Sequence, residues 1–267
     1  DSRITMQEKM GTKAVLEVKG SDRFITENEV REIRDMDGVI SVNRMADSAV
    51  YPVNFNPITN SDSEDENNWK VTLLSYDELE RDSAFSDLRY RLMKGDMITE
   101  GSGKGAVINF ALADANGLEI GDEMEVGTET GSVINVKIIG VFVAGSERNQ
   151  MDTLPAVNRI ENQIFIDNES YTGLFDNAGY RKIAVYTKKP DQIDVLVQEL
   201  KDFLGSRVEI TTADILYRQL EVPLNRIVRV MKLMLVFTLA AGVTITSILL
   251  CMWMRSRKRE IAVFISM

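Results

Sequence analysis

Leu233 to Met254 reads LMLVFTLAAGVTITSILLCMWM, without a single charge. As an α-helix rising ~1.5 Å per residue it is about 33 Å long, enough to cross a hydrocarbon core of ~30 Å. Ten of its side chains are Leu, Ile, Val or Phe. At about −0.3 to −0.6 kcal/mol each they favour insertion by roughly −3 to −6 kcal/mol, and no charge opposes them. The sequence therefore predicts a transmembrane helix over 233–254. A dense positive block follows, Arg255-Ser-Arg-Lys-Arg259, while Arg226, Arg229 and Lys232 flank the other end more sparsely. The positive-inside rule then places the C-terminal side in the cytoplasm and residues 1–230 outside it. Within the run, Thr238, Gly242 and Thr246 recur every four residues, setting small side chains on one face where a second helix can pack closely.

The remainder is acidic. The net charge of −10 divides into −15 over residues 1–212 and +5 from Ala213 onward. Such a head is repelled by nucleic-acid phosphates and anionic lipid head groups, and it tolerates cationic partners. No nucleic-acid partner is expected; lipid meets only the span. The chain has no histidine, which excludes Ser-His-Asp and Cys-His catalysis and His-ligated zinc. Cys251 is the sole cysteine and lies in the apolar run, so no disulfide forms within the chain. The chain opens at Asp1 with no signal peptide and stops at Met267, and is read as a segment of something longer.

Two stretches of the head look alike. Lys13 to Lys19 alternates like a strand; the capping box Thr26-Glu-Asn-Glu29 opens a helix to about Asp35, Asp37-Gly38 stops it, and Val39 to Met45 is a second strand. Likewise, Lys182 to Thr187 is a strand, and Pro190 and Asp191 open a helix apolar at Ile193, Leu196, Val197, Leu200 and Leu204. Gly205 closes it before the strand Arg207 to Thr211. Two separated βαβ units predict an α+β, split ferredoxin-like lobe. Between them, turns at Gly121-Asp122, Gly127 and Gly131 and apolar strands predict an inserted, mostly β lobe at about 91–180. Asn60 to Asn68 is a polar loop lacking the Gly and terminal Glu of a calcium site. After Thr212, a helical stripe through Leu216, Leu220, Leu224, Ile227 and Met231 makes a stalk over 213–232, with Pro223 as its hinge.

No catalytic, cofactor-binding or metal-binding residues emerge. Gly101-Ser-Gly-Lys-Gly105 has Ile98 where a phosphate loop needs its first Gly and Gly105 where it needs Ser or Thr, so it is a turn. Ser102 beside Lys104 is a solvated pair rather than a nucleophile and base. Carboxylates are abundant, but no spacing singles out an acid–base pair.

Arg257-Lys-Arg-Glu-Ile-Ala-Val-Phe-Ile-Ser-Met267, directly after the apolar run, resembles the signature of FtsX-like permeases, including the MacB-like class. Leu92-Met-Lys-Gly95, Ala106-Val-Ile108, Ala111-Leu-Ala113, Gly117-Leu-Glu-Ile-Gly-Asp122 and Ile138-Ile-Gly-Val-Phe142 resemble, in order, that family's extracytoplasmic core pattern. The resemblance implies a four-span permease whose ectodomain lies between its first and second spans. Residues 233–254 are then the second span, and Asp1 falls just after the first. It implies that Arg257, Arg259, Glu260 and Ile261 open a cytoplasmic segment contacting an ATP-binding-cassette ATPase. ATP is then bound by that separate subunit and no cofactor by this chain. Further implied partners are a second permease copy or paralogue and an extracytoplasmic client, at the plasma membrane of a bacterium. Two rival functions stay open: a membrane-tethered receptor or sensor for a cationic peptide, and an FtsX-like activator of a cell-wall hydrolase. An enzyme is not expected.

Overall fold

One strand, β2 (Val39–Pro52), is fourteen residues long and belongs to both parts of the head. The computed structural model describes residues 12–19, 23–59, 65–145, 154–176, 179–187, 193–212, 231, 234–235 and 237–253. The chain divides into two units, Asp1–Ala213 and Asp214–Met267.

In the first unit, the near half of β2 closes a four-stranded antiparallel sheet. Its order is β10 (Val208–Thr212), β1 (Thr12–Val18), β9 (Lys182–Thr187), β2. Helix α1 (Glu27–Arg34) connects β1 to β2, and α5 (Ile193–Leu204) connects β9 to β10. Alternation along β1 sends Ala14, Leu16 and Val18 into one core with Val30 and Ile33 of α1 and Leu196, Leu200 and Leu204 of α5. Helix α1 starts where its capping box predicts. The Thr26 hydroxyl oxygen accepts the Glu29 N–H, and the Glu29 carboxylate accepts the Thr26 N–H at 2.8 Å. Because Ala14 stands opposite Thr212 in the antiparallel register, β1 begins and β10 ends at the same end of the sheet.

The far half of β2 enters a different arrangement. It pairs with β3 (Val71–Tyr76), β3 pairs with β8 (Gln163–Asp167), β8 with β5 (Gly105–Asn109), β5 with β7 (Val133–Ala144) and β7 with β6 (Glu123–Gly127). Strand β6 then returns to β2 through Tyr51↔Gly127 and Pro52↔Val126, closing a ring of six strands. Residues alternate between two cores. Ala106, Ile108, Ile164 and Ile166 join the large core, whereas Val107, Phe142 and Phe165 form a second with Tyr76, Leu79, Phe85 and Ile98. Short helix α2 (Ser83–Ser86) supplies Phe85, whose ring lies 5.6–5.7 Å from those of Tyr90, Phe142 and Phe165. Strand β4 (Tyr90–Gly95) adds to β7 outside the ring. Helices α3 (Phe110–Asn116) and α4 (Asn168–Leu174) follow β5 and β8, each capped at its start by the side chain of the residue before it, Asn109 or Asp167. The segment expected as an inserted β lobe at 91–180 thus shares β2 with the flanking strands, and β3, upstream of residue 91, completes its ring.

In the second unit, residues 237–253 are helical and expose Phe237, Leu239, Val243, Ile245, Ile248 and Leu249. Among the described residues no helix is long and apolar enough to cross a membrane. Within the predicted span, residues 234–235 and 237–253 are the described ones. The predicted span over 233–254 is therefore described only in part. The stalk at 213–232 with Pro223, apart from Met231, and the segment 255–267 lie outside the described residues.

Candidate functional site

Midway along β2, Met45 pairs with Lys182 of β9 on one side and with Tyr76 of β3 on the other. Its neighbour Arg44 sits where the four-stranded sheet gives way to the ring and gathers charge from both. The Arg44 guanidinium donates to Asp77 through Nε, at 2.9 Å, and Nη2, at 2.5 Å. Through Nη1 it reaches Glu27 at 2.9 Å and the Tyr180 hydroxyl at 3.1 Å. Tyr180 donates that hydroxyl proton to Glu27 at 3.0 Å. The backbone is tied in as well. The Arg44 N–H donates to Asp77 at 2.8 Å, and the Arg44 carbonyl accepts from the Asn168 amide at 3.0 Å. Asn43 completes the node: its side-chain oxygen accepts the N–H groups of Asp77 and Glu78, and its amide donates to the Glu78 carbonyl.

The electrostatics follow from burial and pairing. Burial works to raise the Asp77 carboxyl, but the Arg44 guanidinium and N–H overcome it and hold the group below its ordinary value. Arg44 is likewise opposed by burial and held above its ordinary value by Asp77 first and Glu27 further down. Burial and Glu27 push the Tyr180 phenol up against the opposing Arg44 charge. Arg44 and Asp77 thus face each other as an ion pair at neutral pH, Tyr180 stays a neutral phenol, and every guanidinium nitrogen is engaged. Such a site holds two parts together.

Two cavities flank α4. One, of about 280 Å³, is lined by Glu27, Arg44, Asn168, Glu169, Thr172 and Tyr180. The other, of about 610 Å³, is lined by Lys104, Ser132, Asp167, Glu169, Ser170 and Leu174. Among the described residues no cluster of carboxylates and cysteine fit to hold a metal occurs.

Of the residues singled out in the sequence, Thr238, Gly242 and Thr246 are described. The Thr238 and Thr246 hydroxyls donate to their own helix, at the Met234 and Gly242 carbonyls (2.8 and 2.7 Å), and a Cβ at Gly242 would meet open space. Pro223, Arg257, Arg259, Glu260 and Ile261 lie outside the described residues. The hydrogen-bonded turn spans Thr99–Ser102 and overlaps only the start of Gly101–Gly105; the Ser102 hydroxyl accepts the Thr99 N–H. Sequence reasoning missed Glu27, Arg44, Asp77 and Tyr180. Each is an ordinary charged or aromatic residue in its local pattern, and only the register of β2 and the Ile25↔Tyr180 bridge bring them together.

The core-pattern residues converge elsewhere, in a knot of backbone. Gly95 of β4 faces Gly140 of β7. With φ +80° Gly95 takes a conformation that L side chains avoid, and a Cβ there would run into the Ile139 carbonyl. A Cβ on Gly140 would strike the Asp96 carbonyl. The Gly121 N–H donates to Ile138 O at 2.8 Å, and the Ile138 N–H to Asp122 O at 2.9 Å. These glycines admit the close approach of neighbouring backbone.

Residues 2–203 match the MacB-like periplasmic core domain, and the chain belongs to that family. It is 26% identical over 199 residues to YclI of Bacillus subtilis (strain 168), described as an uncharacterized ABC transporter permease. That alignment spans 68% of this chain and 39% of YclI. The periplasmic region of MacB from Actinobacillus actinomycetemcomitans is similar in fold, with a TM-score of 0.51 at 13% identity. The match covers 83% of this chain and 98% of that one. The extracellular domain of the ABC-type transporter YknZ from Gram-positive bacteria matches at a TM-score of 0.47 and 16% identity, over 74% of this chain and 99% of that domain. The head is accordingly a mixed α/β structure built on one large sheet, as in MacB-like periplasmic domains.

Proposed function

We propose that the chain is the head, stalk and second span of a bacterial ABC permease subunit, which carries ATPase-driven movement to a client outside the cytoplasm. The four-stranded end of the sheet, with α1 and α5, is the split ferredoxin-like lobe, and the six-stranded ring is its inserted β lobe. The observation that carries the proposal is that β1 begins and β10 ends at one end of the sheet, in a chain of the MacB-like periplasmic core family. A head attached at one end to two spans can be moved by them as a body. The Arg44–Asp77 node then keeps both parts of the head together as it moves. Residues 233–254 complete the span, Pro223 lets the stalk swing, and Arg257, Arg259, Glu260 and Ile261 meet the ATPase. The head acts mechanically rather than by catalysis. A second permease copy or paralogue packs along Thr238, Gly242 and Thr246.

The test is purification of the full-length protein from its own cells in mild detergent, with and without residues 255–267. An ATPase should co-purify with the intact protein and be lost on deletion. Absence of an ATPase from both samples would overturn the proposal in favour of a tethered receptor.

A further inference from the structure

The smaller cavity beside α4 lies against the ionic node, and the donor groups that line it are engaged. The Arg44 guanidinium serves Asp77, Glu27 and Tyr180, and the Tyr180 hydroxyl donates to Glu27. The Thr172 hydroxyl donates to the Asn168 carbonyl at 2.9 Å. What is left over accepts. Asn168 is only 3% exposed, and its side chain is turned by the Arg44 carbonyl, which can take only the amide nitrogen. Its oxygen Oδ1 is then buried and meets no donor. A buried acceptor is costly to leave unpaired, so one held this firmly calls for a donor. Charge points the same way. Three carboxylates gather here, Asp77, Glu27 and Glu169, against two guanidiniums, Arg44 and, 4.0 Å from Asp77, Arg34. Glu169 forms no ion pair among the described residues, although Lys104 lines the neighbouring cavity with it. One negative charge therefore remains, which a single ammonium cancels and a divalent metal ion would reverse. At about 280 Å³ the cavity is at the small end of ligand pockets, with room for a small molecule or one side chain.

We propose that this cavity binds a primary ammonium on a slender carbon stem. Its N–H groups serve Asn168 Oδ1, the Glu169 carboxylate and Oε1 of Glu27, whose Oε2 already takes both Arg44 and Tyr180. The site stands apart from coupling to an ATPase, and its test reads none. The full chain in detergent is titrated with n-butylammonium and followed by ligand-observed saturation-transfer NMR and by the thermal unfolding midpoint. Butylammonium should bind saturably and raise the midpoint. Tetramethylammonium, which carries the charge without a donor, should do neither. Glu169→Gln should weaken binding about tenfold, and the ligand-free midpoint should not move because Glu169 is exposed and joins no pair. Glu27→Gln, which keeps Arg44 on Asp77, should weaken it as well. Nα-acetyl-lysine amide separates the two sources of such a group: if it binds as butylammonium does, the cavity accepts a lysine side chain, and if only butylammonium binds, it takes a free amine. No saturable binding of either amine, equal binding of tetramethylammonium, or wild-type affinity in both variants would overturn the site.

Discussion

Arg44 and Asp77 form the most consequential pair of side chains in the head. Both are largely buried, so removing one leaves the other charge without its partner, at a cost of about 3–5 kcal/mol. Arg44→Met should lower the denaturation midpoint accordingly, whereas Glu27→Gln, at a site 39% exposed, should cost no more than about 1 kcal/mol. Chemical denaturation of both variants checks the contrast. The Asp77 and Glu29 carboxyls are both held below their ordinary values, Glu29 by Thr26 and by Arg207 and Arg23 against the opposing effect of burial. A depressed carboxyl contributes stability that is fully present above its unfolded value near 4 and is lost as pH falls through the folded value. Stability measured against pH should therefore be level above about pH 5 and fall below about pH 4. The acid limb should be shallower in Asp77→Asn. At Gly95 an alanine must accept both the positive φ and the Ile139 carbonyl, so Gly95→Ala should lose at least about 1–3 kcal/mol.

Elements differ in how far the sequence announces them. Helix α1 was legible because Thr26 and Glu29 satisfy each other locally, and α5 because its apolar residues keep a helical period. The strands β1 and β9 were legible from alternation and β-branched composition. Closure of the ring was not, since Tyr51 meets Gly127 across more than seventy residues and no local pattern encodes that pairing. The ionic node was hidden for the same reason: Glu27, Arg44, Asp77 and Tyr180 come from four separate segments. The glycines of the core pattern could be seen, but their purpose could not, because Gly95 and Gly140 are explained only by the carbonyls they admit. In the C-terminal helix, Cys251 lies about 180° around the axis from the middle of the Thr238–Gly242–Thr246 stripe. Oxidative crosslinking should therefore join a neighbouring span through a cysteine placed at Thr246 in a Cys251→Ser background, but not through native Cys251. Crosslinking through Cys251 alone would show that the opposite face packs.

On the scale of the whole molecule, β2 ties the ring to the sheet that begins and ends the head, and the buried node sits at their join. Movement delivered at one end should reach the other with little lost to internal bending. Charge reversal by Glu260→Lys should leave the head folded and reduce ATPase coupling, read as ATP hydrolysis by the assembled complex; unchanged hydrolysis would remove Glu260 from the coupling role. The most direct measurement places a fluorophore on exposed Glu199, through a cysteine in the Cys251→Ser background, in the full-length permease reconstituted with its ATPase in labelled lipid nanodiscs. Energy transfer between head and lipid surface should change when ATP is added and stop changing when residues 255–267 are deleted. A head whose distance from the membrane ignores ATP, or responds equally after the deletion, would contradict the transmission of movement.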